Sequence, residues 1–162
     1  MRTGPLLRVV TIVVLLGALS AAGCGEDDPP LQWQLIWEDE FDGPAGQLPD
    51  PARWQFDVGV DWGNAQLEYD TDRATNVSLD GNGRLAITAR RETYTGPRGT
   101  RQFTSGRINT FDRFEQSGGR FEARIRLPIG GGIWPAFWLL GADFDRVGWP
   151  LCGEIDILEY RG

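Results

Sequence analysis

A chain of 162 residues with 41% hydrophobic content is long enough for one domain with a real core, and its 22 Gly, 10 Pro and 18 aromatics (7 Trp, 8 Phe, 3 Tyr) suit short strands joined by turns. It contains no histidine, which excludes Ser-His-Asp and Cys-His nucleophilic mechanisms and most zinc sites. The net charge is −7, and −9 without residues 1–23, which carry only Arg2 and Arg8 (14 basic against 23 acidic residues); an acidic surface argues against nucleic acid or anionic membrane as partner.

Arg2 and Arg8 precede an apolar run over residues 9–19, and small residues follow at Ser20, Ala21, Ala22 and Gly23, the pattern of an export signal occupying residues 1–23. The run falls short of the roughly 20 apolar residues of a membrane span. Cys24 follows directly, and Ala21-Ala22-Gly23-Cys24 resembles the lipobox of bacterial lipoproteins, in which the cysteine is lipidated, although Ala21 stands where leucine is usual. Ordinary cleavage is the alternative, with Cys24 free or paired to Cys152 in an oxidising compartment. Residues 24–30 end in Pro29-Pro30 and read as a tether, so the folded domain is expected over 31–162.

Residues 33–41 mix aromatics and β-branched residues with acids, which predicts a strand ending at Asp42-Gly43-Pro44. Residues 54–58 alternate again, and 59–65 read as a surface loop. Asp80, Gly81, Asn82 and Gly83 form a turn that leads into a strand over 83–90, with Leu85, Ile87 and Ala89 facing inward. Residues 120–128 alternate cleanly, with Phe121, Ala123, Ile125 and Leu127 on one face and Arg120, Glu122, Arg124 and Arg126 on the other, the pattern of a half-exposed antiparallel strand. After Gly130-Gly131-Gly132 comes an apolar segment, 133–140, in which Pro135 suits an edge or a bulge. No window has a helical period, and the spacing of short strands indicates an all-β sandwich.

The segment 152–160, CGEIDILEY, carries the chemistry. In a strand, Glu154 and Asp156 share one face while Ile155 and Ile157 share the other, which is read as buried. Glu159 lies an odd five positions after Glu154, so a regular strand would turn it into the core unpaired, at large cost. Ile157 and Leu158 are consecutive apolar residues in an otherwise alternating run. If one of them is a β-bulge residue, Glu159 returns to the face of Glu154. The two glutamates are then about four strand steps apart, roughly 13 Å between Cα atoms. Side chains leaning together close much of that gap, toward the ~5–5.5 Å carboxyl separation of a retaining glycosidase. An edge strand with a solvated acidic face fits the local pattern equally well.

The run Gly153-Glu154-Ile155-Asp156-Ile157-Leu158-Glu159-Tyr160 resembles the E-x-D-x-x-E active-site signature of glycoside hydrolase family 16 in its bulged, laminarinase-like form. Trp37-Glu38-Asp39-Glu40-Phe41-Asp42, Phe103-Thr104-Ser105-Gly106-Arg107-Ile108, Gly119-Arg120-Phe121-Glu122-Ala123-Arg124 and Trp134-Pro135-Ala136-Phe137-Trp138-Leu139-Leu140-Gly141 are similar to other segments of that family, in the same order. The resemblance implies a concanavalin A-like jelly-roll of two antiparallel sheets with an open polysaccharide cleft. It makes Glu154 the nucleophile, Glu159 the general acid/base and Asp156 a hydrogen-bond partner of Glu154. Closely spaced carboxylates of this kind divide ionised and protonated roles between them.

Trp134 and Trp138 match family positions that line the cleft, where sugar C–H faces stack on indole; core packing is the competing role. Arg107 resembles a residue that contacts sugar hydroxyls, or else a structural ion pair with a cleft acid. Asn64 and Glu68 match a loop at the non-reducing side of the cleft. No cofactor and no metal are assigned: complete family domains often carry a structural calcium, but its ligands depend partly on residues beyond those present. Family domains usually extend well past the signature, whereas this sequence stops three residues after Glu159, so an incomplete jelly-roll, inactive or unstable as given, is expected. The implied function is an exported, monomeric endo-β-1,3-glucanase acting on laminarin-like β-glucan, with a membrane association only through lipid at Cys24. A non-catalytic glucan-binding protein and a transglycosylase are the alternatives.

Overall fold

The computed structural model describes residues 32–162; the segment 1–23 expected to direct export, the expected tether 24–30 with Cys24, and Leu31 lie outside them. The chain divides into two compact units, one ending at Arg124 and the other running from Ile125 to Gly162.

The first unit is built from seven strands: β1 (Gln55–Phe56), β2 (Glu68–Asp70), β3 (Val77–Leu79), β4 (Leu85–Ile87), β5 (Arg90–Gly96), β6 (Gly99–Ser105) and β7 (Ile108–Asn109). β3 and β4 form an antiparallel hairpin whose turn is the one read from the sequence. Asp80 Oδ1 accepts the Asn82 N–H at 2.8 Å, and the Asp80 N–H is bonded to the Arg84 carbonyl at 2.9 Å. β5 and β6 form a second hairpin, bulged between Arg91 and Tyr94. β1 pairs with β7 antiparallel. β2 departs from the antiparallel expectation and runs parallel to β6, with Tyr69 opposite Thr104. Three strands intervene between them, and a connection of that length permits parallel pairing that a tight turn forbids.

The core of this unit gathers Phe41, Trp54, Val60, Tyr69, Val77 and Leu79. Trp37 meets Trp54 edge-on at 5.5 Å between ring centres and stacks on Phe114 at 5.4 Å, while Phe41 stacks on Trp54 at 5.9 Å. These contacts explain why the strand expected over 33–41 does not form beyond a single bridge at Leu35. Asp39 instead accepts hydrogen bonds from the Phe41 N–H and the Trp54 indole, each at 2.8 Å, and Phe41 takes φ +53°, outside the extended range. The aromatic pattern therefore marks the core correctly while the backbone turns.

A buried polar network lies beside that core. Asn76 Nδ2 donates to Thr104 Oγ1 at 2.9 Å and to the Thr88 carbonyl at 3.0 Å, Thr71 bonds Asn76 Oδ1 at 2.6 Å, and Thr104 donates to Glu92 at 2.6 Å. Arg73 closes the network on Glu92, its guanidinium 4.6 Å from the centre of the Tyr94 ring. Burial of these groups is sustained because each finds a partner.

Two other expectations fail. Leu85 is half-buried, but Ile87 is 52% exposed and Ala89 is exposed, so the inward face assigned to 83–90 is covered only at its start; alternation defines a face but not the layer that covers it. Residues 120–128 join no ladder, and Ile125 is exposed, because a strand also needs a backbone partner that its own sequence does not specify.

The second unit is a hairpin of β8 (Ala136–Leu140) and β9 (Glu154–Glu159), with a single helical turn, α1 (Phe144–Val147), in the connection. Pro135 falls immediately before β8, where its carbonyl accepts the Tyr160 N–H at 3.1 Å and its missing N–H leaves out only the return bond at the end of the ladder.

Candidate active site

β8 and β9 run antiparallel with Leu140 opposite Glu154, Leu139 opposite Ile155, Trp138 opposite Asp156, Phe137 opposite Leu158 and Ala136 opposite Glu159. The register skips Ile157 between the Trp138 and Phe137 pairs, so Ile157 is the bulge residue. Directly opposed residues share a face. Because 136, 138 and 140 alternate regularly, Glu154, Asp156 and Glu159 must all lie on one face with Ala136, Trp138 and Leu140. Without the extra residue position in β9, Glu159 would stand with Ile155.

The start of β9 is set by the connection. The Gly141 N–H bonds the Gly153 carbonyl at 3.0 Å, and a Cβ at Gly141 would collide with the Cys152 carbonyl, so only glycine lets the two strands approach there. Gly153, at φ +78°, delivers the chain into Glu154. Cys152 is a half-buried free thiol; its alternative partner, Cys24, lies outside the described residues. One expectation about the strand is corrected: Ile155 and Ile157 are 64% and 42% exposed, so the apolar face is not a buried one in this unit.

The three acids are exposed, with their carboxylates open to a ligand. Trp134 is half-buried, and its Nε1–H donates to Glu159 Oε1 at 3.1 Å, which ties one oxygen of that carboxylate to an indole on the segment leading into β8. Trp138 sits directly across from Asp156. The hairpin thus unites five of the expected residues: Glu154, Asp156, Glu159, Trp134 and Trp138. It also adds Arg161, which sequence reasoning missed, with its guanidinium 4.1 Å from the Trp134 ring centre. An arginine two places after the signature carries no pattern of its own; only the strand register marks it.

Arg107, Asn64 and Glu68 belong to the first unit. Arg107 Nε donates to Asp57 Oδ2 at 2.8 Å, and its guanidinium lies 5.2 Å from the Trp62 ring centre. Asn109 donates to the other Asp57 oxygen at 2.9 Å. The ion pair weighed as the alternative for Arg107 therefore exists. Glu68 opens β2, two residues before Asp70, whose carboxyl is 4% exposed and pushed up to about 7 by burial first and by the Glu68 charge second, with Arg107 and Trp62 opposing. Asn64 is in an exposed loop at φ +54°, a conformation asparagine tolerates. Among the described residues, no group of three or more acidic or cysteine side chains gathers to hold a metal ion.

A model of the XgeA-like catalytic domain of glycoside hydrolase family 16 matches residues 54–161. The chain is 43% identical over 158 residues to a beta-glucanase of Rhodothermus marinus, covering 96% of this chain and 53% of that protein. It is 44% identical over 132 residues to a glucan endo-1,3-beta-glucosidase of Cryptopygus antarcticus, covering 80% and 47%. Among solved structures, the catalytic domain of an endo-1,3-beta-glucanase (laminarinase) from Thermotoga petrophila superposes with a TM-score of 0.72 at 45% identity, over 80% of this chain and 52% of that one. The chain therefore spans about half the length of these relatives, and the all-β jelly-roll class read from the sequence is the class of its structural neighbours.

Proposed function

The chain belongs to glycoside hydrolase family 16, and from that membership we propose that it is an exported endo-β-glucanase cleaving β-1,3 linkages of laminarin-like polysaccharides with retention at the anomeric carbon. The observation that carries this reading is the bulged register of β8 and β9, which places Glu154, Asp156 and Glu159 on one open face. A β-1,3 preference is supported by the names of the relatives, among them endo-1,3-beta-glucanases and a laminarinase.

In the proposed reaction the Glu154 carboxylate attacks the anomeric carbon while Glu159 gives its proton to the departing glycosidic oxygen. A glycosyl ester to Glu154 forms and the leaving chain departs as an alcohol. Glu159, now ionised, then removes a proton from water, which attacks the same carbon and frees Glu154. Asp156, between the two along the strand, holds Glu154 by a hydrogen bond. Trp134 and Trp138 offer indole surface to sugar rings on the same face, and Arg107, Asn64 and Glu68 of the first unit are assigned as sugar-contacting residues from the family resemblance.

Export and anchoring are part of the proposal: residues 1–23 direct secretion and Cys24 is lipidated, tethering a monomeric domain to the cell envelope. Among the described residues no helix is long and apolar enough to cross a membrane. Radiolabelled palmitate incorporated by the wild type and absent from Cys24→Ser tests the anchor.

Product analysis on laminarin, lichenan and agarose tests the activity. Hydrolysis of laminarin with retained configuration is the outcome that supports this reading and sets aside the expectation of an inactive chain, and Glu154→Gln and Glu159→Gln should then each lower the rate by roughly 10²–10⁴-fold. Full activity in both variants overturns the assigned roles; tight laminarin binding without turnover by the wild type selects the glucan-binding alternative.

A further inference from the structure

We propose that Arg161 is a positioning residue for Glu159, acting through Trp134. The pairing of β8 and β9 continues past Glu159: the Tyr160 N–H bonds the Pro135 carbonyl at 3.1 Å and the Gly162 N–H bonds the Ile133 carbonyl at 3.1 Å. Arg161 and Trp134 lie between these two bonded pairs, so they face each other as a non-hydrogen-bonded pair, the kind in which opposed side chains approach most closely. They also stand on the face of Glu159 and Ala136, two pairs further along.

The contacts follow from that placement. The Arg161 guanidinium carbon is 4.1 Å from the Trp134 ring centre, well inside the ~6 Å reach of a cation–π contact. The opposite interaction of the same ring is the Nε1–H bond to Glu159 at 3.1 Å. Trp134 precedes a proline, which holds its backbone extended, so the freedom left to the indole is rotation about its side-chain bonds. Arg161 covers one ring face and removes that freedom, leaving the N–H aimed at the carboxylate. Only the other ring face then remains for a sugar. Among the described residues Arg161 has no ion-pair partner, so the indole is what sets its own position.

This inference rests on the reading of Glu159 as acid/base, and its first readout is independent of that reading. In isotope-labelled full chain, the Trp134 indole N–H resonance is assigned by its loss in Trp134→Phe. Arg161→Ala is expected to shift that resonance and to speed its exchange with solvent roughly two- to fivefold, with Arg161→Lys restoring part of the effect. On laminarin, kcat should fall by a similar roughly two- to fivefold factor while KM holds, again rescued in part by lysine. An unchanged indole resonance and exchange rate in Arg161→Ala overturns the proposal. If the resonance responds but Glu159→Gln hydrolyses laminarin normally, the acid/base reading has failed and the positioning role falls with it, whereas a responding resonance with an inactive Glu159→Gln and an impaired Arg161→Ala supports both.

Discussion

Replacing Asp70 by Asn should remove a pH dependence of stability that the first unit otherwise carries. Asp70 is buried at the end of β2, beside Glu68, with Arg107, Trp62 and Asp57 also acting on it, and its carboxyl is pushed from 3.8 to about 7. The folded protein therefore binds this proton more tightly than the unfolded chain, which releases it near pH 4. Between about pH 4 and 7 the folded state carries the extra proton, so stability falls as pH rises through that window and levels off above it. At about 1.36 kcal/mol per tenfold change in proton affinity, the span corresponds to about 4 kcal/mol, a large share of the roughly 5–15 kcal/mol by which domains are stable. Asparagine has nearly the same shape and no proton to lose, so the variant should match the wild type near pH 4 and exceed it in stability at pH 8. Glu92, lowered by its bonds to Thr104 and Arg73, acts with the opposite sign, its contribution being present above its unfolded value and lost as pH falls below it. Urea unfolding followed by tryptophan fluorescence at pH 5, 6, 7 and 8 gives the comparison. A difference between wild type and variant that stays constant from pH 5 to 8 would refute the argument.

Thr104 has no exposed surface and bonds Asn76 and Glu92, so Thr104→Val keeps its volume but removes one hydrogen bond from each, leaving Asn76 its bond to Thr88 and Glu92 its bond to Arg73. A loss of about 1–3 kcal/mol in urea unfolding is expected, and a change under about 0.5 kcal/mol would count against the network. At Gly106 an added Cβ would run into Cγ2 of the fully buried Val77, so Gly106→Ala should cost about 1–3 kcal/mol. Gly131, with open space around its added Cβ, is the control, and Gly131→Ala should leave the unfolding midpoint within about 0.5 kcal/mol of wild type.

Local chemistry was legible. The turn at residues 80–84 followed from Asp, Gly and Asn in succession, whereas Pro135, read as suiting an edge or a bulge, stands just before β8. The doubled apolar pair Ile157-Leu158 implied a bulge, and the register skips Ile157. Each of these depends on the backbone conformation of a few adjacent residues, which their side chains constrain directly. What was not legible depends on residues distant in the chain. The alternation of 120–128 names two faces but no hydrogen-bond partner, and none is found among the described residues. The aromatics of 33–41 belong to the core, yet their backbone turns because Asp39 is drawn to Phe41 and to Trp54 fifteen residues away. The acid signature showed that Glu154, Asp156 and Glu159 could share a face; their opposition to Leu140, Trp138 and Ala136, and the placing of Arg161 over Trp134, came only with the pairing of β8 and β9. A sequence determines periodicity and turns because these are short-range; partner, cover and protonation state belong to the tertiary structure, because each is set by groups brought close in space from elsewhere in the chain.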